Sequence, residues 1–345
     1  MSHGKKKQAP GPRELPGQVR ERAGAPMLVI LGSVGEAAHL VRTLALPGTT
    51  CFQLDLYPAE RLSEELGDSA SVVTRPDLWD LPAEFASAIY LPQKGGEREL
   101  KIDMVEQAWH VLRPGAPLLI WSPYDTDPFF PNLLRKIFGR ASIYNLERST
   151  VFACVKAGDR PRRRHEVTFQ ARLAGGPSCR FLSRPGTFSY GRFDDGARAL
   201  LESVDLVPGQ RVLDLGCGCG TNGVFAWQRV GPTGHVTFVD SSVRAIALAQ
   251  LNAQANGVAS FDAFATAAVQ GPPEASYDVV LANPPYFAQE SIAQLFIARG
   301  QAMLKPGGHF WLVTRQPRMI EAMLLETFAE VEAGERRGYT IFKAC

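Results

Sequence analysis

No stretch of the 345-residue sequence stays apolar for the roughly 18 residues a membrane-spanning helix needs, and the longest apolar run near the start, residues 27–31, is the size of a strand. With 45% hydrophobic and 21% charged residues, the composition is that expected of a soluble globular protein with no membrane partner. Cysteine is scarce and scattered, six residues in all at positions 51, 154, 179, 217, 219 and 345. No secretory leader precedes them, so the expectation is reduced thiols in a cytoplasmic chain and no disulfide framework. The sequence has no C-x-x-C pair and no H-x-x-x-H pair. Cys217 and Cys219 therefore lack the partners a zinc site requires, and no metal is expected.

The chain is also short of net charge, at +2, but the balance is uneven. Residues 1–26 carry +4, 27–156 carry −4, 157–192 carry +6 and 193–345 carry −4. Residues 1–26 combine Lys, Arg, Pro and Gly with almost no large apolar side chain, which predicts a disordered basic arm. Residues 157–192 read as a basic linker holding a strand or β-hairpin, a place where a polyanion could be gripped between two folded bodies.

Between these segments, short apolar runs alternate with amphipathic ones. "MLVILG", "TTCFQLDL", "SAIYL" and "APLLIW" read as strands separated by helices, and the same syntax returns in "RVLDLG", "HVTFVD", "YDVVLA" and "HFWLVT". Such alternation predicts βαβ crossovers and mainly parallel sheets. Three pieces of the first half match the second at nearly constant spacing. "VILGSVG" meets "LDLGCGCG" 184 residues on, "HVLRPGAPLLIW" meets "AMLKPGGHFWLV" at 192, and "STVFACVKA" meets "YTIFKAC" at 190. The chain thus reads as an internal duplication, with domains at 27–156 and 193–345.

The second copy holds the motifs that carry chemistry. Residues 218–223 satisfy G-x-G-x-x-G directly after a strand and before a helix, and Asp240 ends the next strand. Glycines let a ligand touch the backbone, and the carboxylate suits ribose hydroxyls. NAD and S-adenosylmethionine both carry that ribose, so these features alone allow either. "VLANPPYF", residues 280–287, separates them. Two prolines end the strand and fix the backbone. Asn283 offers a side-chain carbonyl, Pro284 a backbone carbonyl and Tyr286 a ring, a set suited to a planar NH₂ group.

On these residues the second half resembles the class I S-adenosylmethionine-dependent methyltransferases with an N-P-P-Y catalytic tetrapeptide. With "RPGTFSYGRFDDGARALL" and the eroded first copy, the chain resembles the RsmC-type ribosomal RNA guanine-N2 methyltransferases. The resemblance implies two tandem Rossmann-like α/β domains, each a mainly parallel seven-stranded sheet with helices on both faces, the first of them non-catalytic. It implies Asn283, Pro284, Pro285 and Tyr286 as the catalytic set. For S-adenosyl-L-methionine it implies Asp214, Gly216, Gly218, Gly220, Asp240, Ser241 and Ala267, with Phe188 and Ser189 closing over the site. Ala267 brings no polar side chain to the adenine, which would then rest on backbone contacts.

The implied partner is ribosomal RNA or the small ribosomal subunit, acted on by a monomer. Candidate phosphate contacts are Arg160, Arg162, Arg163, Arg164, Arg180, Arg184 and Arg192. Several other functions stay open from the residues. They are methylation of guanine N2 in large-subunit RNA, of DNA adenine N6 or of protein glutamine N5, an NAD dehydrogenase, and a non-enzymatic RNA-binding protein.

Overall fold

The computed structural model describes residues 14–173, 175–284 and 290–345. The chain divides into two units, one of Met1–Gln53 with Pro58–Arg163, the other of Leu54–Tyr57 with Arg164–Cys345. Among the described residues no helix is long and apolar enough to cross a membrane.

The first unit is built on strands β1 (Met27–Ile30), β2 (Thr50–Gln53), β3 (Ser71–Thr74), β4 (Ser87–Tyr90), β5 (Pro117–Ser122), β6 (Ser142–Leu146) and β7 (Ser149–Val155). They form one sheet in the order β3-β2-β1-β4-β5-β7-β6. β1 to β5 run parallel, and β7 lies antiparallel to both β5 and β6. All four residues of β1 and of β4 are buried, the mark of central parallel strands covered on both faces. Met27, Val29, Cys51, Ile89, Leu119 and Trp121 pack against Ala37, Leu40 and Val41 of the helix Val34–Leu44. On the alternate positions, Tyr90 meets Phe130 edge-on and Phe130 packs on Phe152.

Leu15 and Val19 are buried in this core, Val19 on the short helix Gly17–Arg20. The predicted arm of residues 1–26 is therefore corrected over 14–26. Two apolar side chains, few as they are, suffice to anchor that stretch, while residues 1–13 lie outside the described residues.

The second unit starts with a hairpin, β8 (Val167–Arg172) and β9 (Ser178–Ser183). Its main sheet holds β10 (Arg211–Leu215), β11 (His235–Asp240), β12 (Phe261–Ala265), β13 (Tyr277–Ala282), β14 (Leu304–Thr314), β15 (Val331–Arg336) and β16 (Tyr339–Ala344). The order β12-β11-β10-β13-β14-β16-β15 repeats that of the first sheet strand for strand. Alternating residues serve two cores. Val212, Val236, Phe238, Val279 and Leu281 face helices Asp195–Ser203, Thr221–Val230 and Val243–Ala255. Leu213, Leu215, Val239, Val280 and Ala282 face helices Glu290–Met303 and Pro317–Thr327. The fold is thus two tandem Rossmann-like α/β domains.

The hairpin is not a linker. Ala171, Cys179 and Phe181 are buried in the second core, where Phe181 stacks on Phe169 at 5.4 Å and touches Phe225 at 5.7 Å. Each such ring contributes about 2 kcal/mol of burial, so the domain expected to begin at 193 takes in residues from 164 onward. Asn252 and Asn256, one turn apart, hold β9 to the helix Val243–Ala255. Asn252 Oδ1 accepts from Leu182 N at 2.7 Å and its Nδ2 donates to Leu182 O at 2.8 Å. Asn256 makes the matching pair with Arg180 N and O at 3.0 and 2.8 Å.

Candidate functional site

A cavity of about 280 Å³ opens at the carboxyl ends of β10, β11, β12 and β13, the edge where parallel α/β sheets bind ligands. Gly216 and Gly218 line it after β10, Asp240, Ser241 and Ser242 after β11, Thr266 and Ala267 after β12, and Asn283 after β13. Gly186, Thr187 and Phe188 cover one side, while Ile292, Leu295 and Phe296 of the helix Glu290–Met303 cover another. A smaller cavity shares Gly216, Gly218, Phe188 and Asn283 and adds Ser189, Arg192, Asp194 and Thr221.

The glycine loop divides its labour. Gly218 has φ +55 and open space where a Cβ would point, so at this position the backbone lies bare to the cavity. Gly220, at φ +86, lines neither cavity, and a Cβ there would stand 3.0 Å from the backbone of Ala249. Its smallness serves the packing of the loop on the helix Val243–Ala255. Asp214 also has a structural role. Fully buried, it lines neither cavity and accepts from Gly223 N at 2.8 Å and Asn222 Nδ2 at 3.4 Å, tying the loop to the start of the helix Thr221–Val230. Burial raises its pKa to about 7 against the opposing pull of those bonds.

Asp240 does face the cavity. Oδ2 accepts from Gly218 N and Oδ1 from Ser242 N, each at 2.8 Å, which fixes the carboxylate while leaving acceptor capacity on both oxygens. Burial raises its pKa to about 6, partly offset by those bonds, and the neighbouring Asp55 adds to the rise. Ser241, Ala267 and Phe188 line the cavity, and Phe188 is 48% exposed. The Oγ of Ser189 and the Oγ1 of Thr187 are buried with no hydrogen-bond partner among the described residues. Orphaned hydroxyls of this kind mark a place where a ligand is the missing partner. The bare Gly218 backbone, the Asp240 carboxylate and these hydroxyls fit a nucleoside-bearing ligand.

Asn283 follows β13 and is buried. Its Nδ2 donates to Asp194 Oδ1 at 3.0 Å, and the same oxygen accepts from Ala197 N at 2.9 Å as the N-cap of the helix Asp195–Ser203. The bond sets which end of the amide is NH₂. Pro284 is buried beside it. Pro285 and Tyr286 lie outside the described residues.

Three residues here had no motif to announce them. Asp194 orients Asn283, and Asn252 Nδ2 donates to Cys219 O at 2.8 Å, so one side chain holds both the glycine loop and the hairpin. Arg244, fully buried, donates to Pro185 O at 2.5 Å and anchors the covering loop. Only the capping position of Asp194, in "FDDGARALL", gave a local signal.

Cys217 and Cys219 are buried thiols, and burial pushes that of Cys219 up to about 12. Both pack as small core residues. Among the described residues no group of three or more His, Cys, Asp or Glu could hold a metal ion. Of the basic residues, Arg184 is corrected. It is buried and ion-paired with Glu166 at 3.3 Å, an internal strut. Arg160 pairs with Glu106 at 3.1 Å, Arg164 with Glu166 at 3.8 Å, and Arg162 lies over the Trp79 ring at 5.7 Å. Arg163, Arg180 and Arg192 are exposed.

The first unit differs at the corresponding position. Leu91 follows β4 as Asn283 follows β13, and its side chain comes within 2.8 Å of where a Cβ on Gly32 would stand. An apolar residue sits where the second unit has its amide.

Residues 178–343 match the model of the methyltransferase small domain. The chain is 35% identical over 211 residues to the ribosomal RNA small subunit methyltransferase C of Chromohalobacter salexigens, covering 55% of this chain and 62% of that one. It is 32% identical over 182 residues to the ribosomal RNA large subunit methyltransferase G of Streptomyces coelicolor, 50% of this chain and 47% of that one. It thus spans less than two thirds of the length of these curated relatives. The 16S rRNA N2 methyltransferase RsmC of T. thermophilus, solved with AdoMet and guanosine, superposes with a TM-score of 0.75 at 21% identity, over 97% of this chain and 93% of that one. Its likeness extends the fold match across both units. Residues 178–343 are thus similar to the methyltransferase small domain, and the chain resembles ribosomal RNA methyltransferases in sequence over about half its length and shares its fold with the T. thermophilus enzyme.

Proposed function

We propose that this chain is an S-adenosylmethionine-dependent methyltransferase acting on the exocyclic N2 amine of a guanine in small-subunit ribosomal RNA. The observation that carries the reading is the Asn283 amide, buried in the cavity wall at the carboxyl end of β13 with its NH₂ end oriented by Asp194. The named activities of the relatives support the same reading.

When bound, S-adenosylmethionine supplies a methyl group on a positively charged sulfur, so no strong base is needed at the acceptor. Asp240 takes the ribose hydroxyls, and the Gly216–Gly218 backbone lets the ligand lie close. Asn283 Oδ1 and the Pro284 carbonyl accept the two hydrogens of the guanine amine, which draws its lone pair out of the ring and aims it at the methyl carbon. That is positioning plus electrostatic preorganisation. Tyr286 is proposed as the stacking face for the flipped base, and Arg163, Arg180 and Arg192 as phosphate contacts. The first unit takes no cofactor, and the enzyme works as a cytoplasmic monomer.

The test is methyl transfer by the purified chain to ribosomal RNA and to assembled small and large subunits, with the product identified by nucleoside mass spectrometry. N2-methylguanosine in small-subunit RNA is expected. The Streptomyces relative makes large-subunit RNA the second reading. No transfer to either, with no cofactor binding, would overturn both.

A further inference from the structure

Residues 54–57 immediately follow β2, far from the methyltransferase motifs in sequence, yet they group with the second unit and supply two side chains to its cavity, Asp55 and Tyr57. Their placement is defined by a short antiparallel bridge. Leu56 N donates to Ser241 O at 2.9 Å and Val243 N to Leu54 O at 3.0 Å, with Asp55 opposite Ser242. The Asp55 carboxylate is turned inward, where Oδ2 accepts from Ser241 Oγ at 3.0 Å and Oδ1 from Tyr57 N at 2.8 Å. A carboxylate offers about four acceptor sites, so two bonds leave capacity toward the cavity.

The order of the sheet says which end of a ligand meets it. The reacting end must lie at Asn283 after β13, and the cavity runs from there past β10 to β11 and β12. Asp55 is bonded to the residue after Asp240, at the far end. That end is also where Ala267 provides no polar side chain. Asp55 and Asp240 both line this cavity, and like charges in a shielded site favour a ligand that brings further donors. An adenosine presents such donors as ribose hydroxyls and a ring NH₂.

We infer that Asp55 is a specificity-determining residue whose carboxylate accepts from the adenine amino group of the cofactor. The inference rests on the proposed cofactor, and it assigns to residues 54–57 the ring-reading role that Ala267 leaves unfilled.

Calorimetry on the full chain with S-adenosylhomocysteine and S-inosylhomocysteine tests it, because the second ligand carries a carbonyl acceptor where the first carries the amine. The wild-type chain is expected to prefer the adenosyl ligand by ~10-fold or more, the scale of one hydrogen bond to a charged group. Asp55→Ala should lose most of that preference. Asp55→Asn, which keeps the size and can donate to a carbonyl, should lose or reverse it. An unchanged preference in both variants overturns the inference, as does equal weakening of both ligands, which would make Asp55 a strut for Ser241. A wild-type chain that binds neither ligand would instead overturn the cofactor reading itself.

Discussion

Asp194 and Asn283 lie 89 residues apart and meet through one hydrogen bond of 3.0 Å, which sets the direction of the amide. Asn283→Ala is expected to leave cofactor binding nearly intact and to lower turnover by ~100-fold or more, as for loss of one positioned polar group. Isothermal calorimetry and methyl transfer measured on the same preparation check the split.

Asp194→Ala removes both the orienting acceptor and a helix cap. Turnover should fall by about 10-fold or more, and the chain should lose about 1 kcal/mol of stability. Asp194→Asn, which can still accept from Ala197 N, should retain most of the stability. Denaturant melts of the two variants separate capping from orientation.

Cofactor affinity should rise with pH. The Asp240 pKa, raised by burial to about 6 in the free protein, must fall when ribose hydroxyls donate to the carboxylate. Binding then releases a proton below pH 6 and none well above it. Affinity is expected to be ~10-fold weaker at pH 5 than at pH 8. The ligand-free chain should show the opposite trend, because a carboxylate that holds its proton more tightly folded than unfolded favours folding most at low pH. That stability contribution is lost as pH rises from about 4 to about 6. Titration calorimetry in two buffers of different ionisation heat measures the proton count.

Gly218→Ala and Gly220→Ala should fail differently. A methyl group at 218 enters open space, so the cost is positive-φ strain of ~1 kcal/mol and a loss of cofactor affinity. At 220 it meets the Ala249 backbone at 3.0 Å on top of the same strain. Destabilisation of roughly 2–4 kcal/mol is expected there, visible as a lowered midpoint before any ligand is added.

RNA binding should weaken with salt, and the slope of log affinity against log salt should drop by about one for each phosphate contact removed. Arg163→Ala, Arg180→Ala and Arg192→Ala are expected to show this. Arg184→Ala should instead lower the melting temperature, since it strips Glu166 of an internal partner. Filter binding across a salt series, read beside melting curves, distinguishes the two kinds of arginine.

What could be read from the sequence was what is local. Strand–helix alternation, the glycine loop after β10, Asp240 at a strand end and Asn283 before two prolines are all patterns within a few residues of one another. The mainly parallel sheets followed from the syntax, although the edge strands β3 and β12, partly exposed, carried little periodic signal. The unread part of the site is non-local. Asp194 reaches Asn283 across 89 positions, Asn252 reaches Cys219 across 33, and Asp55 reaches Ser241 across 186. No spacing rule marks such pairs, because the chain's path through the fold and not its order brings them together. Composition misled in the other direction at residues 14–26 and 164–183, where a few well-placed apolar side chains outweigh many charges.

The bridge between residues 54–57 and 241–243 gives the duplication a consequence of its own. Two copies of a domain in one chain are ordinarily separable inheritances, each free to be lost, swapped or moved to another gene. Here residues 54–57, directly after β2 in sequence, group with the later unit and line its cavity. A chain severed after Arg163 would leave the later fragment without part of its own pocket.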